Sequence, residues 1–234
     1  MKVFIVHAHP EPKSFNGALT HTAIETLGGA GHEVKVSDLY AMGWDPVSGP
    51  RNFTARAEPG YFKQQVEEAH AAATGGFVPE IQAEIDKLRW CDALILQFPL
   101  WWFSMPAIMK GWVDRVFASG GVIYGGGKWY DNGTMRGKRA MLSLTTGGPE
   151  AIYSETGLNG PMDALLYPIN HGILRFVGFD VLPPFVAWSP TRASDEERKR
   201  MLDAYRARLV DWERATPIAY PSLADHDDSF RRKS

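Results

Sequence analysis

Cysteine is almost absent from this chain of 234 residues: Cys91 stands alone. A single thiol excludes an intramolecular disulfide, and no histidine lies beside it in the sequence to activate it, so Cys91 reads as buried filler. An excess of one charge is lacking too. Lys plus Arg number 25 against 27 Asp plus Glu, a net charge of -2, which offers no bulk attraction to nucleic acid or to an anionic membrane. Long hydrophobic runs are missing: the longest, around Ala93 to Met105, carries Gln97 and two prolines and is too short to span a bilayer. The N-terminus is a mixed strand with neither a basic n-region nor a cleavage site, so a cytoplasmic location is expected. Internal repeats and low-complexity tracts are absent, and so are both GxGxxG and the GxxxxGK loop of phosphate-binding NTPases.

What is present is a 44% hydrophobic content, ample for one packed α/β core. Four apolar, β-rich runs stand out at Lys2–His9, Ala93–Pro99, Arg139–Thr146 and Phe179–Trp188, with Glu33–Leu39 as a half-exposed fifth. Helical patterns are read at Phe15–Leu27, Pro79–Trp90, Pro106–Ala118, Met162–Phe176 and Ser194–Arg214, the last opening on Ser194 with Glu196 and Glu197 in an acidic first turn. The alternation predicts a doubly wound, five-stranded parallel sheet with helices on both faces. The domain is expected over residues 1–217, with an insertion at about 40–76 and a tail at 218–234 whose last residues are expected to be mobile. His21, His32, His70 and His226 read as solvated side chains. Trp112, Val113, Val116 and Phe117 read as a core or dimer stripe, with Lys110, Asp114 and Arg115 on the polar face of the same helix.

Doubly wound sheets bind ligands beyond the carboxyl ends of their strands, so the loops after the first, third and fourth major strands carry the chemistry. The first loop runs from His7 to Gly17 and ends with Ser14 as candidate helix cap. Its orphan N–H groups, the Ser14 hydroxyl, the Asn16 amide and His9 suit a pyrophosphate, although Ser14 and Asn16 serve equally well as plain helix caps. The second, Gln97 to Pro106, holds Trp101, Trp102 and Phe103 in a row. Neighbouring side chains point in different directions, so all three cannot enter one core, and some must meet a flat ring or a dimer partner. The third, Thr145-Thr146-Gly147-Gly148-Pro149, lets backbone N–H groups approach a ligand, or is a simple turn.

These segments, together with Trp112–Phe117, Trp129-Tyr130-Asp131 and Gly172–Gly178, resemble the NAD(P)H:quinone oxidoreductase family in order and over nearly the whole chain from Lys2 to about Pro217. The resemblance implies a flavodoxin-like homodimer with FAD at the subunit interface. It implies ping-pong reduction of a quinone by a reduced nicotinamide. It assigns the FAD pyrophosphate to His9, Ser14, Phe15, Asn16 and Ala18, and places Arg198 near the adenine. It gives the isoalloxazine to Pro99, Leu100, Trp101, Trp102, Phe103, Thr145, Thr146, Gly147, Gly148 and Tyr153. Tyr124, Trp129, Asn159 and Phe176 are assigned to the substrate pocket, with both subunits contributing.

The chain departs from the family at the place of a histidine six residues after the tyrosine: Tyr153 is followed by Asn159. Asparagine donates a hydrogen bond but takes up no proton near neutral pH, so Tyr153 and Asn159 are read as electrostatic assistants to the flavin. That asparagine and the short C-terminus are similar to the branch using dihydronicotinamide riboside, and the donor is left open between NADH, NADPH and that smaller molecule. The branch's metal site needs a second histidine where Arg175 stands beside His171, so no metal is expected. Thr191 occupies the place of a flavin-proximal glutamate in the family. Two other readings keep the fold: an FMN or azo reductase, and an accessory subunit of a membrane potassium-efflux system.

Overall fold

A computed structural model describes residues 1–233. Three strands, β1 (Lys2–His7), β3 (Ala93–Pro99) and β4 (Arg139–Thr145), form the middle of a parallel sheet, with β2 (Glu33–Asp38) outside β1 and β5 (Asp180–Val181) outside β4. The order β2-β1-β3-β4-β5 is the one expected of a flavodoxin-like sheet. β1 and β3 are buried along nearly their whole length, which is why they read as unbroken apolar runs rather than as alternation.

Helices cover both faces. Val3 and Ile5 of β1 pack with Leu19, Ala23, Tyr205, Leu209 and Trp212, from α1 (Phe15–Gly29), α6 (Asp195–Val210) and the turn after it. Phe4 and Val6 pack on the other face with Ile81, Ile85 and Leu88 of α3 (Pro79–Trp90) and Met109, Trp112 and Val116 of α4 (Ala107–Val116). The Trp112–Phe117 stripe is core, as expected, and Cys91 is fully buried, its thiol pKa pushed up to about 12 by burial.

Several boundaries differ from expectation. The expected fifth strand, Phe179–Trp188, is split into β5 and β6 (Phe185–Ala187), both paired to β4, because Pro183 and Pro184 between them have no N–H to give to a ladder. The expected helix Met162–Phe176 is α-helical only over α5 (Met162–Ile169) and continues as a π-helix over Asn170–Arg175. Pro168 lies just upstream; its missing N–H loosens the ladder where the wider turn begins. α6 ends at Val210 rather than Arg214, and Trp212 turns into the core.

Within the 40–76 segment lies a helix absent from the sequence reading, α2 (Gln64–Thr74), closed by Gly75 at φ 70°. Its buried Glu67 accepts from the Ala57 N–H and the Arg56 guanidinium and so ties down the preceding loop. Arg115, expected on a solvated face, is buried instead: it donates to Asn52 and to the Asp45 carbonyl, pairs with Glu80 and lies 4.6 Å from the Trp44 ring centroid. Lys110 and Asp114 keep the surface, 2.5 Å apart. Of the four histidines expected to be solvated, His21 is exposed while His32, His70 and His226 are half-buried. The tail folds back, Ile218 donating to Val181 at 2.8 Å and Lys233 to Asp225 at 2.8 Å, while its last residue, Ser234, lies outside the described residues.

Candidate functional site

The first, third and fourth strand ends are tied together under the surface by polar side chains. Asn16 donates to the Thr145 hydroxyl at 2.9 Å and accepts from the Gln97 amide at 2.8 Å, while Thr20 and the buried His7 ring meet at 2.8 Å. Burial lowers the His7 pKa despite the pull of Asp38, so this ring stays neutral. Above this floor the Leu100 N–H bonds to the Thr145 carbonyl and the Ala8 N–H to that of Gln97. The three loops therefore stand side by side.

The Asn16 side chain is consumed by this floor. Its amide points inward, not toward a ligand as the sequence reading allowed, and what it leaves for an anion is its backbone N–H. Ser14 caps α1 by accepting from Gly17, and among the described residues the Phe15 and Asn16 N–H groups find no partner. Ser14 and Phe15 border a groove of about 590 Å³ between the start of α1 and one face of α6, with Lys13, Ala18, Arg198 and Arg206 on its walls. Orphan N–H groups at a positive helix end, next to cations, suit a diphosphate. Arg198 is partly engaged already, donating to the Pro190 and Ala193 carbonyls and pairing with Asp195. Lys13, Lys199 and Arg206 were not foreseen, yet Asp195, Arg198, Lys199, Leu202 and Arg206 recur at the three- and four-residue spacing of one helix face.

The aromatic loop is a two-residue hairpin. Trp101 and Ser104 exchange both backbone hydrogen bonds at 3.0 Å, and the central residues Trp102 and Phe103 have φ of 50° and 60°. This is the left-handed region that favours glycine and asparagine, and it costs a bulky side chain about 1–2 kcal/mol. The turn keeps its aromatics out of the core: Trp102 is 95% exposed, Phe103 49% and Trp101 41%. Pro99, by contrast, is buried at the end of β3 and Leu100 is half-buried. The His9 ring lies 6.1 Å from that of Trp101, and its Nδ1 stands 3.0 Å from the Glu11 nitrogen and 3.1 Å from the Glu11 carbonyl oxygen, so the ring is held by the loop's own backbone.

In the third loop the Thr146 hydroxyl donates to the Gly148 carbonyl and shapes the turn. The Gly147 and Gly148 N–H groups have no partner among the described residues, and a Cβ on Gly147 would meet nothing within 4 Å. A flat ring edge with hydrogen-bond acceptors fits that open backbone. Beside it stands Tyr153, its ring tilted on Trp188 at 5.5 Å, and the Asn159 N–H bonds to the Ile152 carbonyl at 2.9 Å, bringing Asn159 next to Tyr153 in space.

Tyr124 and Phe176 also meet, ring centroids 5.9 Å apart, but around a separate hollow of about 220 Å³ between α2, α4 and the π-helix. Trp129 is half-buried in the neighbouring segment and shows no ring contact with them. No residue lining that hollow belongs to the strand-end loops. Among the described residues there is no group of three or more His, Cys, Asp or Glu side chains placed for a metal. His171 stacks on Tyr167 at 4.7 Å, and Arg175 pairs with Asp131. No helix among the described residues is long and apolar enough to cross a membrane.

The family model of the flavodoxin-like fold matches residues 1–209. Ribosyldihydronicotinamide dehydrogenase (quinone) from Homo sapiens is 44% identical over 218 residues, covering 93% of this chain and 94% of the relative. NAD(P)H dehydrogenase (quinone) 1 from Cavia porcellus is 39% identical over 231 residues, covering 98% and 84%. A solved structure from Klebsiella pneumoniae, assigned as a quinone reductase, superposes with a TM-score of 0.93 at 41% identity over 100% of this chain and 94% of that one. The family resemblance read from the loops is thereby borne out, and the chain belongs to the flavodoxin-like quinone dehydrogenases, a family of oxidoreductases.

Proposed function

We propose that this chain reduces quinones to hydroquinones with a reduced nicotinamide as donor, in the cytoplasm, as a homodimer whose flavin is FAD. When bound, the flavin relays a hydride from donor to acceptor, so that the two substrates use one pocket in turn. The observation that carries the reading is the Trp102–Phe103 turn, which holds aromatic faces outward at a cost in backbone strain beside the unpartnered N–H groups of Gly147 and Gly148. Strain of this kind persists where a site requires it.

The choice of FAD over FMN is supported by the groove between α1 and α6: an adenosine diphosphate half needs such a surface beyond the phosphate loop, and FMN does not. The Phe15 and Asn16 N–H groups, Ser14 and the His9 ring would hold the diphosphate, with Ala18 and Arg198 further along. Leu100 to Phe103 would grip the ring face, and Gly147 and Gly148 its polar edge. Thr145, Thr146 and Pro99 shape these loops from below.

Tyr153 and Asn159 would donate hydrogen bonds to charge developing at the ring edge. Asn159 takes up no proton near neutral pH, so the pair's part is electrostatic. Tyr124, Trp129 and Phe176 would wall the pocket from the partner subunit, which accounts for their distance from the loops within one chain. Residues 1–217 form the flavin domain in this reading, and 218–234 a tail.

Flavin released on denaturation identifies the cofactor by its mass. Anaerobic stopped-flow then follows bleaching of the flavin absorbance by NADH, NADPH and dihydronicotinamide riboside, and its return with menadione. Two separable phases are expected. Protein that purifies without flavin, or flavin that no donor bleaches, removes the enzymatic reading.

A further inference from the structure

Three cations, Arg89, Lys128 and Arg136, line a groove at the amino-terminal end of the sheet, opposite the flavin loops, and among the described residues none of the three is ion-paired. The groove is about 590 Å³ in volume; Arg89 at the end of α3, Gly121 and Lys128 of the glycine-rich segment, Asn132, and Arg136 and Lys138 just before β4 line it. No acidic side chain lines it. Among the described residues, the side chains of Arg89, Lys128 and Arg136 form no ion pair. Arg136 also borders a neighbouring hollow with Asp131 and Asp180, and pairs with neither.

Lys138 has a structural task of its own. It donates to the Arg89 and Cys91 carbonyls at 2.5 and 2.7 Å and so closes the carboxyl end of α3. Burial, with Arg89 and Lys2, holds its pKa below the usual lysine value against the opposing pull of Cys91 and Asp92. The fold thus tolerates a crowd of positive charge here while leaving Arg89, Lys128 and Arg136 unused. Gly121 turns the chain beside the Lys128 ammonium in the left-handed region, with φ of 78°.

We infer that this groove binds a small phosphorylated ligand carrying a diphosphate or a comparable cluster of negative charge. Two guanidinium groups suit phosphate oxygens through paired N–H donors, the Lys128 ammonium adds a point charge, and the Asn132 amide a neutral donor. With a net charge of -2 the whole chain exerts no general pull on polyanions, so the attraction is local to the groove.

Inorganic pyrophosphate is the probe. Calorimetric titration of the flavin-loaded full-length protein, with ionic strength held constant by chloride, should show saturable binding at one site per chain. The double variant Lys128→Gln with Arg136→Gln should weaken it about tenfold, while Arg206→Gln, in the groove between α1 and α6, should leave it unchanged. Pyrophosphate should raise Tm in the wild type and fail to do so in the double variant, whose own Tm without the probe stays at the wild-type value. The site is refuted by absence of saturable binding, by undiminished affinity in the double variant, or by loss of binding in Arg206→Gln alone.

Discussion

At the residue scale, Trp102 shows a local rule broken in favour of a site. Its backbone is in the left-handed region and its side chain, 95% exposed, touches little in the chain that would compensate. Asparagine tolerates that conformation, so Trp102→Asn should stabilise the flavin-free protein by about 1 kcal/mol and weaken flavin retention. Urea unfolding and the fluorescence of released flavin read the two effects separately; lower stability together with unaltered flavin binding would contradict the assignment. The three aromatics were legible in the sequence because no core accepts three consecutive side chains. Asn16 was legible only in part. Its position at a helix start suggested an anion ligand, while its bonds to Thr145 and Gln97 depend on strands 129 and 81 residues away, which no local pattern encodes.

At the scale of elements, β1, β3 and β4 were readable because strands buried on both faces are written as continuous apolar runs. α2 was not, since GlnGlnValGluGluAlaHisAlaAlaAlaThr offers small and charged side chains with only a faint apolar stripe. The long helix read at 162–176 was right in place and wrong in kind, because the switch to a π-helix is set by Pro168 and by packing rather than by periodicity. That stretch and the tail meet at Asp131, which accepts from the Leu223 N–H at 2.5 Å and pairs with Arg175. Desolvation alone would raise the Asp131 pKa, but the bonds from Leu223 and Arg175 outweigh it and hold the carboxyl below the usual range. With the folded value the lower one, the clasp contributes fully above an aspartate's ordinary pKa of about 4 and is lost as pH falls through the folded value. Protection from hydrogen exchange at residues 216–226, taken relative to an unstructured chain at the same pH, should therefore fall on strong acidification. In Asp131→Asn that protection should already be low at neutral pH and depend on acidification far less; equal protection in the two proteins would deny the clasp its role.

At the scale of the molecule, the proposed homodimer would cover exposed apolar side chains: Leu158 is 94% exposed, and Trp102, Phe103 and Tyr167 are also exposed. Leu158→Glu should shift the protein toward monomer in sedimentation velocity and lower quinone reduction with it. A dimer of wild-type affinity would place the subunit contact elsewhere.

The prolines that divide the last strand bear on a different property. An open sheet has two rims, each a row of N–H and C=O groups on which another chain can template. One rim here is β5 and β6, two and three residues long with Pro183 and Pro184 between them, and the other is β2, which carries Glu33, Lys35 and Asp38. Neither rim presents a long apolar ladder, so native chains do not add to one another strand by strand. Insoluble material formed on heating should then appear at a pace set by global unfolding, whatever the concentration of folded protein.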